Sequence, residues 1–182
     1  MQGASAVDRD QLKLDFRDAM GRLAAGIVMV TTEVDGRPWG LTVSACCSIS
    51  MSPPTIAVSL GDTTVSAKVI EDTGRFGVSI LGESLIDAAH FGSTRGQPKF
   101  VEHYCASQGR SMTPAIESAI AHVDCRVEQT ARVADHIVFF GEVECVLHRP
   151  ESDNPLVYHD RRFHRLSFSS DIRAAPAPDV WW

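Results

Sequence analysis

No apolar run in this sequence approaches the ~20 residues that a bilayer-spanning helix needs, so no membrane span is expected. Positive charge is scarce as well. Seventeen Lys and Arg stand against 23 Asp and Glu, for a formal net charge of −6. That balance argues against nucleic acid or anionic lipid as a partner, since both need clustered cations. It leaves room for one local basic pocket that takes a phosphorylated small molecule. The five cysteines lack zinc-type spacing and the seven histidines show no ligand pattern, so no metal is expected. Cys46 and Cys47 are adjacent, with Cα atoms ~3.8 Å apart, and make poor disulfide partners. Reduced thiols in a cytoplasmic protein are the expected state, most of them serving as small buried hydrophobes. The stretch Met1–Gln11 is polar and carries Asp8, Arg9 and Asp10, unlike a secretory signal. Repeats and low-complexity blocks are missing, and so is G-x-G-x-x-G; a nucleotide bound here must be held by another arrangement.

What is present suits one compact domain: 182 residues, 44% of them hydrophobic. A flexible N-terminus is expected over 1–10, a domain over 11–170 and a tail over 171–182. The tail's Trp181-Trp182 would dock on this subunit or a neighbour rather than stay exposed. Leu12, Phe16, Met20 and Leu23 fall on one face of a helix over Gln11–Ala24, with Asp10 as its cap and Gly26 past its end. Ile27–Glu33 and Pro38–Ala45 flank Asp35-Gly36, a hairpin signal. Ser52-Pro53-Pro54 breaks the pattern before a strand over Thr55–Leu60. Thr63 or Thr64 caps a short helix through Ile70 that ends near Gly74. A strand over Arg75–Leu81 and a helix over Glu83–Phe91 follow. Gly92–Pro114 reads as loop with one helical turn near Phe100–Tyr104. Two long strands, Ala119–Thr130 and Ile137–Leu147, enclose a tight turn at Ala134-Asp135, and shorter ones cover Pro155–His159 and Arg162–Phe168. About seven strands with two or three short helices, without strict alternation, predict a mainly β protein: a barrel decorated by helices.

The most informative stretch is Gly40-Leu41-Thr42-Val43-Ser44-Ala45-Cys46-Cys47-Ser48-Ile49-Ser50, rich in hydroxyls and small side chains just before the prolines. It reads either as a strand edge and turn with self-satisfied hydroxyls, or as a strip of N–H groups and hydroxyls facing a flat polar ring. Taken with Phe16-Arg17, Val30-Thr31-Thr32, Pro53-Pro54, Phe76-Gly77-Val78-Ser79-Ile80-Leu81, Phe91, Lys99-Phe100, Asp124-Cys125, Asp135-His136, Gly141-Glu142-Val143 and Pro155-Leu156-Val157-Tyr158, the order and spacing over roughly residues 14–168 resemble the short-chain flavin reductases. These are the reductase components of two-component flavin-dependent monooxygenases.

The resemblance implies a homodimeric FMN-binding split β-barrel, in which hydride passes from NADH or NADPH to flavin N5, with a monooxygenase as partner. Carried over by residue, Leu41, Thr42, Val43, Ser44 and Ala45 line the isoalloxazine, and Ser59, Leu60, Gly61 and Ser66 follow the ribityl chain and phosphate. Phe91, Lys99 and Phe100 match phosphate and edge contacts, with Arg95 a nearby lower-ranked candidate. His136 is the expected contact to the nicotinamide and the one catalytic assignment, oriented by Asp135; Tyr158, His159 and Arg162 are weaker donor contacts. The chain departs from the family at Ala134, where glycine is usual, at Ala45 and Cys46, where Ser and Phe are common, and at Ser79, often Asn. Cys46 reads as packing, with a redox-sensitive thiol beside the flavin as the alternative. Two other functions stay open: a flavin-dependent oxidase or oxygenase acting directly on a small organic molecule, and a non-catalytic flavin carrier. FMN and FAD are not separated. NADH is favoured over NADPH, because no arginine cluster stands out for a 2′-phosphate.

Overall fold

A computed structural model describes residues 8–106, 111–148 and 153–166. Helix α1 (Arg9–Gly21) precedes strands β1 (Ala25–Gly26), β2 (Val28–Val34), β3 (Arg37–Val43), β4 (Cys46–Met51) and β5 (Pro54–Gly61). Helix α2 (Val65–Thr73), β6 (Arg75–Ile80) and α3 (Ile86–Ser93) come next. Strands β7 (Ala121–Val133), β8 (His136–His148), β9 (Leu156–His159) and β10 (Arg162–Arg165) complete the order. Single 3₁₀ turns occupy Glu83–Leu85 and Glu102–Tyr104. The chain is mainly β with short helices, as expected, and no helix among the described residues is long and apolar enough to cross a membrane.

Seven strands form one antiparallel sheet in the order β3-β2-β6-β7-β8-β5-β4, and β1-β9-β10 form a small second sheet. Strand β2 explains why there are two cores. Its first five residues are all buried, because Val28 and Val30 join Val58, Leu60, Phe76, Phe139 and α2's Ala67 and Ile70 on one side. Met29 points the other way, toward Leu81, Leu85, Ala88, Ala89 and Val101. Period-two alternation therefore feeds both layers from a single strand. Phe76 and Phe139 are fully buried; truncating either to alanine would cost about 3–5 kcal/mol.

Several local signals act as the sequence implies. Asp35 and Gly36 turn the first hairpin with φ of 52° and 72°, Thr64 caps α2 by accepting from Ala67 N, and Gly74 ends it in the left-handed region. Ala134 keeps a φ of 52° without being glycine, so the turn geometry survives that departure. Other expectations need correction. The first helix starts two residues earlier, capped by Asp8 instead of Asp10. It also stops at Gly21, short of Ala24, because Ala25 and Gly26 are drawn into pairing with Tyr158 and Val157. Within one chain its apolar face is uncovered, with Phe16 at 65% and Leu23 at 59% exposure. The described residues form ten strands, not about seven. The main omission is β4, whose Cys46–Met51 run looks like a turn but is held as an edge strand by β5. The helix expected over Glu83–Phe91 is split into a 3₁₀ turn and α3. Of the cysteines only Cys125 is buried, and Cys47 is exposed. Phe168, Trp181 and Trp182 lie outside the described residues.

A buried polar knot joins β6, β7 and the segment before β7. The Ser79 hydroxyl accepts from Ile116 N (3.1 Å) and so donates to His122 Nδ1 (2.8 Å). The other ring nitrogen, Nε2–H, then faces Thr113 Oγ1 (3.0 Å) and Asp124 Oδ1 (3.3 Å). Asp124 also accepts from Thr113 Oγ1 and from the N–H groups of Met112 and Thr113. Neutral His122 satisfies every group in the knot, a requirement of burial. Burial pulls its pKa below the ordinary 6.5, against the upward pull of Asp124. The unfolded chain therefore binds this proton more readily than the folded one. His122's contribution to stability is complete above pH 6.5 and is lost as pH falls below it toward the depressed folded value. Urea midpoints measured from about pH 8 to about pH 5 should decline below about pH 6.5, less steeply in His122→Gln. An identical slope in that variant would refute the assignment.

Candidate active site

Strands β3 and β4 are consecutive in the chain but lie on opposite edges of the seven-stranded sheet. The two residues between them, Ser44 and Ala45, therefore carry the chain across from one edge to the other. Ala45 O accepts from Ser59 N (3.0 Å), which anchors the crossing to β5. The Ser44 and Ala45 N–H groups find no acceptor among the described residues, and both residues are exposed. Where β5 ends, Gly61 O accepts from both Thr64 N (3.0 Å) and Thr64 Oγ1 (2.7 Å), turning the chain into α2. Gly61 also lies in register with His136 at the start of β8, and Asp62 N donates to Asp135 O (3.0 Å). Three separate strand ends thus converge.

They border a cleft of ≈ 1200 Å³. Its further lining comes from α3 (Ile86, His90, Ser93), from Arg95, Gly96 and Lys99, and from the β9–β10 hairpin (Tyr158, Arg161, Arg162, Phe163). The charge pattern is one-sided. Arg95, Lys99, Arg161 and Arg162 line the cleft, and no Asp or Glu does so among the described residues. Partial burial lowers the Lys99 pKa, and its Nζ donates to Thr94 O. His136 is half-exposed, with Nδ1 2.8 Å from Asp135 Oδ1; that hydrogen bond holds the Asp135 carboxyl below its usual range. The scattered cations at 95, 99, 161 and 162 show no cluster in sequence, yet folding gathers them.

Of the residues singled out from sequence, Leu41, Thr42, Val43, Ser44, Ala45, Ser59, Leu60, Gly61, Lys99, His136, Tyr158 and Arg162 line this cleft. Four do not. Ser66 is buried in the first turn of α2. Phe91 packs against His103 and Tyr104. Phe100 stands edge-on to Trp39 with the Arg37 guanidinium 3.7 Å from its ring centre. His159 faces the neighbouring His164. Thr42 borders the cleft, but its hydroxyl lies against α3, where a Cβ on Gly92 would meet it at 2.2 Å. Sequence reasoning missed His90, Arg161 and Phe163. It named Thr63 and Thr64 only as caps, although a helix N-terminus is itself a signal for an anion. Cys46 is not among the lining residues. It packs with the barrel core, and burial pushes its thiol up to about 11, which fits packing and not a reactive thiolate.

The Ser44 and Ala45 N–H groups are two donors held open beside one another. The open first turn of α2 adds donors nearby. A flat acceptor-rich ring with an anionic tail matches that set.

The model of the flavin reductase like domain matches residues 20–167. An actinorhodin polyketide dimerase of Streptomyces coelicolor is 38% identical over 152 residues, covering 83% of this chain and 85% of its own. An FMN reductase (NADH), RutF, of Stutzerimonas stutzeri is 33% identical over 162 residues, covering 87% and 91%. The solved styrene monooxygenase flavin reductase of Pseudomonas putida S12 superposes with a TM-score of 0.77 at 33% identity, over 85% of this chain and 99% of that one. The sheet order and its converging strand ends are accordingly those of the flavin reductase split barrel, and the chain belongs to the flavin reductase-like domain family.

Proposed function

We infer that the protein is an NAD(P)H:flavin oxidoreductase that uses NADH and supplies reduced flavin to a monooxygenase. The observation that carries this reading is the cleft itself. In a chain of net charge −6 it is lined by four cations and no carboxylate, with free backbone donors at the Ser44–Ala45 crossing. Of the four, Arg161 is paired with Asp18, and Arg95, Lys99 and Arg162 remain to face a ligand. A site so charged attracts anionic ligands, phosphorylated nucleotides among them. Its volume accommodates a flavin and a nicotinamide together, at or above the upper range of ordinary ligand pockets.

Flavin, when bound, supplies the hydride-accepting ring, and the protein's part is to bind and align. In this reading the Ser44 and Ala45 N–H groups donate to the ring edge that gains negative charge on reduction. Leu41, Val43 and Leu60 border it with apolar surface. Thr63, Thr64 and the backbone N–H groups of the first turn of α2 take the phosphate, with Lys99 and Arg95 as its counter-charges. His136, oriented by Asp135, holds the nicotinamide carboxamide, and Tyr158 and Arg162 complete the donor side. Phe91, Phe100 and His159 act from behind the cleft wall through packing. The reaction needs no further organic substrate, which separates it from a direct oxidase or oxygenase and from a carrier.

The same reading includes a homodimer. Helix α1 buries none of its residues, and among the described residues β4 pairs only with β5. The outer edge of β4 is therefore unpaired, with Ile49 at 50% and Met51 at 56% exposure. An open edge flanked by apolar side chains calls for cover, and a second copy provides it. The five free thiols suit the cytoplasm, where the nicotinamide donor is found.

Purified protein should oxidise NADH at 340 nm when FMN or FAD is added without organic substrate. His136→Ala should lower kcat/KM for NADH about tenfold while leaving the flavin Kd within about twofold. Flavin binding without NADH or NADPH oxidation would reject the reductase and favour the carrier or oxygenase. Sedimentation should give a dimer that Ile49→Lys with Met51→Lys converts to monomer; an unshifted dimer would move the interface elsewhere.

A further inference from the structure

Hairpin β9–β10 supplies Tyr158, Arg161, Arg162 and Phe163 to the cleft, and its turn is unusual. Asp160 and Arg161 both adopt left-handed backbone, with φ of 48° and 61°. Glycine or asparagine is the ordinary occupant of such positions, and other side chains hold the conformation only where their surroundings enforce it. The two-residue connection between the paired His159 and Arg162 demands that form, and groups on α1 hold it in place. Gly21 O, at the helix C-terminus, accepts from Asp160 N at 2.6 Å, and Asp18, one turn earlier, pairs with Arg161 Nη2. The helix C-terminus itself favours a cation at that place. Pairing of β1 with β9 then carries the hairpin on toward the barrel. Helix α1 has no buried residue of its own, so these polar contacts are a large part of what joins helix and hairpin.

We propose that Asp18 is a positioning residue for the nicotinamide donor, holding the Asp160–Arg161 turn in its left-handed form and thereby setting Arg162 and Phe163 in the cleft wall. This rests on the reading of the cleft as the flavin and donor site. The mechanical part, a helix-held hairpin, stands apart from that reading. Asp18 lies outside the cleft lining, so its removal takes away no ligand contact; it frees the turn to relax and moves the two cleft residues that follow it. His90 registers the same movement, since its ring stands edge-on to Phe163 with centres 4.7 Å apart.

The test uses full-length Asp18→Ala, Asp18→Glu, and Asp18→Ala combined with Asp160→Gly. The glycine accommodates positive φ unaided and leaves both arginines in place. In Asp18→Ala the KM for NADH should rise about fivefold, with kcat and the flavin Kd within about twofold. Binding of NAD⁺, measured by calorimetry, should weaken by a similar factor, and amide exchange over 158–163 should accelerate. Asp18→Glu and the Asp160→Gly double variant should each restore KM to within about twofold of the parent. An unchanged KM or unchanged exchange in Asp18→Ala would overturn the proposal. So would equal losses in kcat and flavin binding. Accelerated exchange in Asp18→Ala, beside a parent protein that neither binds flavin nor oxidises NADH, would sink the functional reading and the donor role with it, leaving only the mechanical link.

Discussion

The rest of the structure depends on how two neighbouring strands are placed. Because β3 and β4 occupy opposite edges of one seven-stranded sheet, the two residues that join them cannot belong to either ladder. Ladder hydrogen bonding is what normally consumes backbone donors, and Ser44 and Ala45 are exempt from it by topology. The single bond from Ser59 N to Ala45 O fixes the crossing without using its N–H groups. Around that exemption the fold brings the ends of β5 and β8 and the start of α2. A strip of backbone donors tolerates changes of side chain, so the N–H groups remain whatever side chains stand at 45 and 46.

Charge is distributed with a similar economy. The surface carries carboxylate–arginine pairs such as Arg126 with Glu142 and Glu144, and Arg132 with Asp62 and Glu71. Exposed pairs of this kind add little to stability; their effect here is that those cations are neutralised locally. The cleft residues Arg95, Lys99 and Arg162 lie apart from these pairs, and no carboxylate faces the cleft among the described residues. An acidic protein can therefore hold a positive concavity, a place whose field favours anions.

Much of this was legible in sequence, for identifiable reasons. Most turns and caps are legible because their chemistry is local: Asp35-Gly36, Thr64, Gly74 and Ala134-Asp135 each act within a few residues, while the first cap shifts from Asp10 to Asp8. The cleft residues from Leu41 to Ala45 and from Ser59 to Gly61 were read from an ordered set of motifs. Strand β4 was missed because its signal is not its own; Cys46–Met51 is a strand only through pairing with β5. The cation cluster was missed because Arg95 and Arg162 are 67 residues apart and only tertiary folding joins them. Ser66 and Phe91 were read as contacts from motif alone, which does not distinguish a side chain facing a cleft from one packed behind it.

The β7–β8 hairpin has a consequence for how this chain can change over evolutionary time. Along β8 exposure alternates from His136 outward to Ile137 inward, and Phe139 and Gly141 continue the inward set. His136 faces the cleft because of its parity relative to the two-residue turn at Ala134-Asp135. One inserted residue there, without a compensating bulge, would turn the imidazole inward and Ile137 outward. The strands already contain register shifts at Asp124/Cys125 and Val127/Gln129, where an extra residue is absorbed far from the turn. Length variation in this part of the barrel is thus filtered by odd and even: the distal end can take up an indel, while the end bearing His136 must keep its count.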